Sequence, residues 1–374
     1  MSDQAQQPPA YPPQGYPAYP GYPPPGYPPP QPGQAPPPGY PQAYPPAPNP
    51  QMMQMMQMMQ MMMGGGGQGM VDAAAQPFTY STPEADADPG LEADLVRPAA
   101  LKNLVKDQEA LPAQAVLDLL CLTEDGKNAL GGLPKGCTIA FAGPPGQGKT
   151  RSAIEALTRI AASGVKCLFV VAEEGFLDES DSGRDPLASR LAKIGMATLG
   201  MKEKKFTKDV LSNLLILQAQ YHKGHSWDDF VNRYRYVVEK EDVRFVVIDS
   251  LNMLDPGKTR TADNLNALKT YNHEKGVTCL TIGQIKDTGM PVGGEALMHT
   301  ADAVFLLDKM SLGSKEMAEM WGGKYRDQIT VLKAIKSVTT PIFPHPIRVD
   351  QSPETGTLVV HESQPEEYKP LDPK

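Results

Sequence analysis

The sequence predicts an α/β domain with a mainly parallel central sheet flanked by helices, behind a disordered low-complexity N-terminal tail. Three observations carry this. From residue 137 onward, short apolar runs alternate with segments of helical periodicity, the pattern of βαβ units. One junction in that alternation holds a complete glycine-rich phosphate-binding motif, Gly143-Pro144-Pro145-Gly146-Gln147-Gly148-Lys149-Thr150. The composition also divides the chain: residues 1–50 hold 21 of the 39 prolines and 7 of the 14 tyrosines, and residues 1–70 hold 11 of the 19 methionines with Asp3 as their one charge.

In chain order, residues 8–50 repeat Tyr-Pro and Gly-Tyr-Pro units. Proline fixes φ and removes backbone donors, so this segment is expected as a partly polyproline II chain. Residues 51–63 repeat Gln-Met-Met, whose three-residue period drifts around a helix and makes no clean stripe. Four glycines follow at 64–67, a flexible joint. The tail (1–70) reads as a spacer without a role in chemistry, or as a module docking an unknown protein partner through Tyr and Met. An acidic linker follows at 71–98. From Ala99 to Leu122 the apolar spacing (Leu101, Leu104, Val105, then Val116, Leu119, Leu120) looks helical, broken near Pro112. The domain is expected over 99–362, with 363–374 as a C-terminal tail.

Within the domain, strands are expected at 137–142, 166–171, 213–218, 243–249, 277–283, 302–308 and 327–335, and helices at 149–162, 185–195, 226–240 and 262–274. Runs such as Phe245-Val246-Val247-Ile248 are continuously apolar, as strands buried on both faces must be. The formal net charge of −8 argues against coating nucleic acid by bulk electrostatics, though a local basic groove stays possible. Cys121, Cys137, Cys167 and Cys279 show no CxxC pairing and read as small buried thiols. No apolar run is long enough to span a bilayer and no leader is recognisable, so a cytoplasmic location without membrane partners is expected.

The motif at 143–150 follows the apolar run Thr138–Ala142 and opens the helix that Arg151 continues. Glycines let backbone N–H groups curl around phosphate oxygens, and the helix N-terminus adds positive charge. Lys149 is expected on the β/γ phosphates and Thr150 on Mg²⁺, with ATP as the nucleotide. A second Gly-Lys-Thr at 257–259 lacks the leading glycine, Asn252 standing there. Asp249 ends an apolar strand and is expected to support Mg²⁺. The strand Cys167–Val171 ends in Ala172-Glu173-Glu174; Glu173 is the first choice to activate water, Glu174 the alternative. The acidic residues Asp178, Glu179, Asp181 and Asp185 read as a solvated loop rather than a second metal site.

These motifs, with Leu130–Gly136 ahead of them and Ile282–Lys286 and Gly293–Asp302 behind, occur in the order seen in RecA-like ATPases. Over about residues 125–350 the chain resembles the bacterial RadA (Sms) and RecA group, with DnaB-type helicases and KaiC-like ATPases further off. It departs from RadA in having no four-cysteine module ahead of the core and too few residues after Asp350 for a Lon-like domain. The resemblance implies a RecA-like P-loop core hydrolysing ATP between subunits of a homo-oligomeric ring or filament. Glu173 matches its catalytic glutamate, Asp249 its Walker B aspartate and Gln284 its γ-phosphate sensor. It implies single-stranded DNA as a partner, in recombination or repair, through loops carrying Lys258, Arg260 and Lys286. Lys336 matches the cation that reaches a neighbour's site, with Lys333, Arg326 or Arg348 in reserve. The other reading is a KaiC-like or scaffold ATPase whose nucleotide state switches assembly or partner binding without DNA.

Overall fold

A computed structural model describes residues 106–177, 183, 185–220, 226–254, 260–285 and 298–373. The N-terminal segment, the acidic linker, Asp178, Glu179, Asp181, Lys258 and Lys286 lie outside the described residues.

Two short strands, β1 (Ala110–Leu111) and β2 (Leu133–Pro134), pair with each other. The main sheet contains β3 (Thr138–Gly143), β4 (Cys167–Val171), β5 (Leu214–Gln218), β6 (Phe245–Asp249), β7 (Thr278–Gln284), β8 (Ala303–Ser311), β9 (Gln328–Ser337), β10 (Ile347–Gln351) and β11 (Leu358–Val360). Their spatial order is β11-β10-β9-β8-β3-β7-β6-β4-β5. Every pairing from β8 through β3 to β5 is parallel, and β9, β10 and β11 are added antiparallel. The helices are α1 (Lys149–Ala162), α2 (Leu187–Leu199), α3 (Glu203–Asp209), α4 (Trp227–Glu241), α5 (Thr261–Lys275) and α6 (Lys315–Met320).

Alternation along each strand divides the core in two. Ile139, Phe141, Phe169, Phe245, Val247 and Phe305 point to one face, where Ile154, Leu157 and Ile160 of α1 and Leu187 and Leu191 of α2 meet them. Ala140, Leu168, Val170, Val246, Ile248 and Val304 point to the other, under Phe230, Tyr234 and Val238 of α4 and Leu265 and Leu268 of α5. Helices on both faces explain why these strands are apolar at every position.

Two expectations fail. Described residues 106–122 contain no α-helix, only β1 and a 3₁₀ turn at Val116–Leu119. Pro112 cannot donate, Gln114 takes φ 49°, and the Asp118 carboxylate accepts the N–H groups of Ala113 and Gln114 at 3.0 and 2.7 Å. That local ring of bonds replaces helical ones. At the other end, residues 363–373 do not trail away. Tyr368 stacks on His345 at 4.4 Å, Gln364 is buried, and Ala129 N–H donates to Asp372 O at 3.0 Å.

Candidate functional site

The parallel strands all end at one edge of the sheet, where α/β folds bind ligands. β3 runs into the glycine loop there, and α1 starts immediately after it. Gly148 is the helix N-cap with φ 85°, a conformation open to glycine, and no side chain caps the helix. A methyl group on Gly148 would also lie 2.9 Å from Gly356 O. The uncapped N–H groups of the first turn are the donors that an anion needs.

Four sequence-predicted residues converge on this edge. Lys149 is 7% exposed, and its Nζ donates to Gly143 O at 2.8 Å and Pro144 O at 2.6 Å. Thr150 Oγ1 donates to Asp249 Oδ2 at 2.8 Å. Ser250 Oγ donates to Glu173 Oε2 at 3.3 Å. The N–H groups of Ala172 and Glu173 donate to Asp249 O at 2.8 and 3.2 Å, tying the end of β4 to the end of β6. Gln284 ends β7 and sits opposite Gly143 in the strand register, at the root of the glycine loop.

Burial pushes the Asp249 carboxyl up to about 6; the Thr150 hydroxyl opposes this, the Glu173 and Glu174 charges add to it, and Lys149 opposes it. The Lys149 ammonium is pushed down by burial and held up by Asp249 and Glu173. A hydroxyl and a carboxylate side by side are hard oxygen donors, the kind that Mg²⁺ takes along with water and phosphate.

Sequence reasoning missed one wall of the site. The turn between β10 and β11 lies against the glycine loop: Gln351 Nε2 donates to Gly146 O at 2.9 Å, and Arg151 Nη1 donates to Thr355 O at 2.7 Å. Thr330 Oγ1 donates to Gln147 Oε1 at 3.2 Å. The run from Ile347 to Val360 is polar and interrupted by Pro353, so no periodicity betrays a hairpin there.

The remaining candidates stand apart. Lys336 pairs with Val304 in the register, and its Nζ donates to the carbonyls of Met298, His299 and Ala301 at 3.3, 2.6 and 2.8 Å, at the far edge of the sheet. Burial pushes its ammonium down. Lys333 pairs with Asp308 at 2.8 Å, Arg326 lies over the Tyr325 ring, and Arg348 donates to Trp321 O. Arg260 is exposed at the start of α5. All four cysteines are free and buried. No helix among the described residues is long and apolar enough to cross a membrane.

A sheet with this order and a glycine loop opposed by Asp249 defines a P-loop ATPase of RecA-like architecture. The match to the family described as "ATPase: KaiC" spans residues 116–341, and the chain belongs to that family. The RadA-specific assignment is not what this match supports. No curated protein matches the chain in a sequence search. Among solved structures, a KaiC-like protein from the hyperthermophilic archaeon Pyrococcus horikoshii aligns with TM-score 0.48 and 21% identity, covering 69% of this chain and 99% of that one.

Proposed function

We propose that the chain hydrolyses ATP as a nucleotide-state switch, its bound nucleotide controlling self-assembly or partner binding. One observation carries the reading: the Thr150 hydroxyl, the Asp249 carboxylate, buried Lys149 and Glu173 meet at one strand edge beside an uncapped helix N-terminus. Backbone N–H groups from Gly146 to Thr150 and the Lys149 ammonium hold the phosphates, with Arg151 in the same first turn. Thr150 and Asp249 hold Mg²⁺, which when bound neutralises phosphate charge. Glu173, exposed and held lightly by Ser250, accepts the proton of the attacking water. Gln284, level with Gly143, carries the state of the site toward the chain that follows β7.

Glu173→Gln should lower kcat by about 10²–10⁴-fold while leaving nucleotide affinity intact. An unchanged turnover in a phosphate-release assay would sink the hydrolytic reading. A second reading, action on single-stranded DNA, draws support from Gln284 at the root of the glycine loop. The same assay decides it when repeated with and without single-stranded DNA at two salt concentrations. Stimulation that fades steeply with salt favours DNA, and no effect at low salt favours the DNA-independent switch.

A further inference from the structure

Two carboxylates stand side by side where β4 leaves the sheet, in different surroundings. Glu173 is exposed. Glu174 forms an ion pair with Arg190 Nη2 of α2, and only 19% and 21% of the two side chains are accessible. The backbone of Glu174 is held as well: Gln220, 1% exposed just beyond β5, donates Nε2 to Glu174 O at 2.7 Å. Arg190 is itself fixed at the start of α2, its N–H donating to Pro186 O at 3.0 Å, and Ala188 N–H donates to Phe176 O at 3.0 Å. With Ala172 and Glu173 tied to Asp249 O, the turn is anchored on both sides. The Glu173 side chain is left as its movable part.

We infer that Arg190 is a positioning residue for water activation: by neutralising Glu174 and pinning it beside Gln220, it leaves Glu173 as the one carboxylate of the pair that faces the phosphate edge. This rests on the reading of Glu173 as the group that accepts the proton. Without Arg190, a half-buried negative charge next to Glu173 and near Asp249 has no counter-ion. Glu174 then competes for Lys149 and draws the turn out of place. A shift of this kind spoils a near-attack geometry without removing any group that binds nucleotide.

The test uses the full chain and steady-state ATP hydrolysis. Arg190→Gln should lower kcat about tenfold or more with KM within about threefold of wild type. Adding Glu174→Gln in the same chain should restore most of the loss, because the uncompensated charge is gone. A merely structural Arg190 predicts no such rescue. The inference is overturned if Arg190→Gln turns over like wild type, or if the double variant is as slow as the single one. Where Arg190→Gln does not fold, Arg190→Lys replaces it: a rate that rises on adding Glu174→Gln supports the inference, and one indifferent to residue 174 overturns it. Glu173→Gln is run alongside. If that variant hydrolyses normally, the water-activation reading has failed; if it is dead while Arg190→Gln is fully active, only the role of Arg190 has.

Discussion

Lys336 and Asp118 show how a charged residue's meaning depends on what folds around it. In the sequence, Lys336 matches a cation serving a neighbouring subunit. In the fold its ammonium gathers three carbonyls from residues 298–301 of its own chain. The two roles separate by measurement. If Lys336 serves a neighbour, Lys336→Ala slows turnover with an unchanged melting temperature; if it serves its own chain, the melting temperature falls and kcat persists. Asp118 was not singled out at all, since an isolated aspartate in an apolar run carries no motif. Burial pushes its carboxyl up to about 7 against the N–H groups of Gln114 and Ala113. A carboxyl with a raised native pKa binds more protons folded than unfolded, so its contribution to stability is present at low pH and is lost as pH rises from about 4 through 7. The urea midpoint of the wild type should therefore drop more between pH 5 and pH 8 than that of Asp118→Asn; equal drops would refute this. By contrast Lys149, Thr150 and Asp249 were legible at once, because phosphate binding fixes their spacing within one loop and one strand end.

At the scale of elements, the strands buried on both faces were the legible ones. β3, β4, β6 and β7 are apolar at every turn of the pleat, and their expected bounds fall within two residues of those observed. Short or half-exposed elements were not: α3 and α6 have seven and six residues, and β10 and β11 lie toward the sheet edge with polar residues between them. The β10–β11 turn has a cost of its own. Gly356 takes φ 67°, and a side chain there would begin 2.7 Å from Arg151 Cδ. Gly356→Val should thus destabilise the domain by about 1–3 kcal/mol. It should also weaken nucleotide binding, because Arg151 and Gly148 share that contact. Chemical denaturation and titration with a fluorescent nucleotide measure the two effects; tight binding by a destabilised variant would separate the hairpin from the site.

For the whole molecule, the proposed switch requires the nucleotide to change how copies associate. Mass measurement should give a larger assembly with a magnesium–ATP analogue than without nucleotide; a monomer of full activity under both conditions would remove any role for a neighbour's cation. The hairpin has a consequence for how the molecule comes into being. Arg151 meets Thr355 across 204 residues of sequence, and Gln351 meets Gly146 across 205. Synthesis proceeds from the N-terminus, so the phosphate cradle emerges from the ribosome long before the turn that braces it. Nascent chains therefore pass most of translation with this pocket unbraced, and competence to grip nucleotide arrives only with the final stretch of polypeptide.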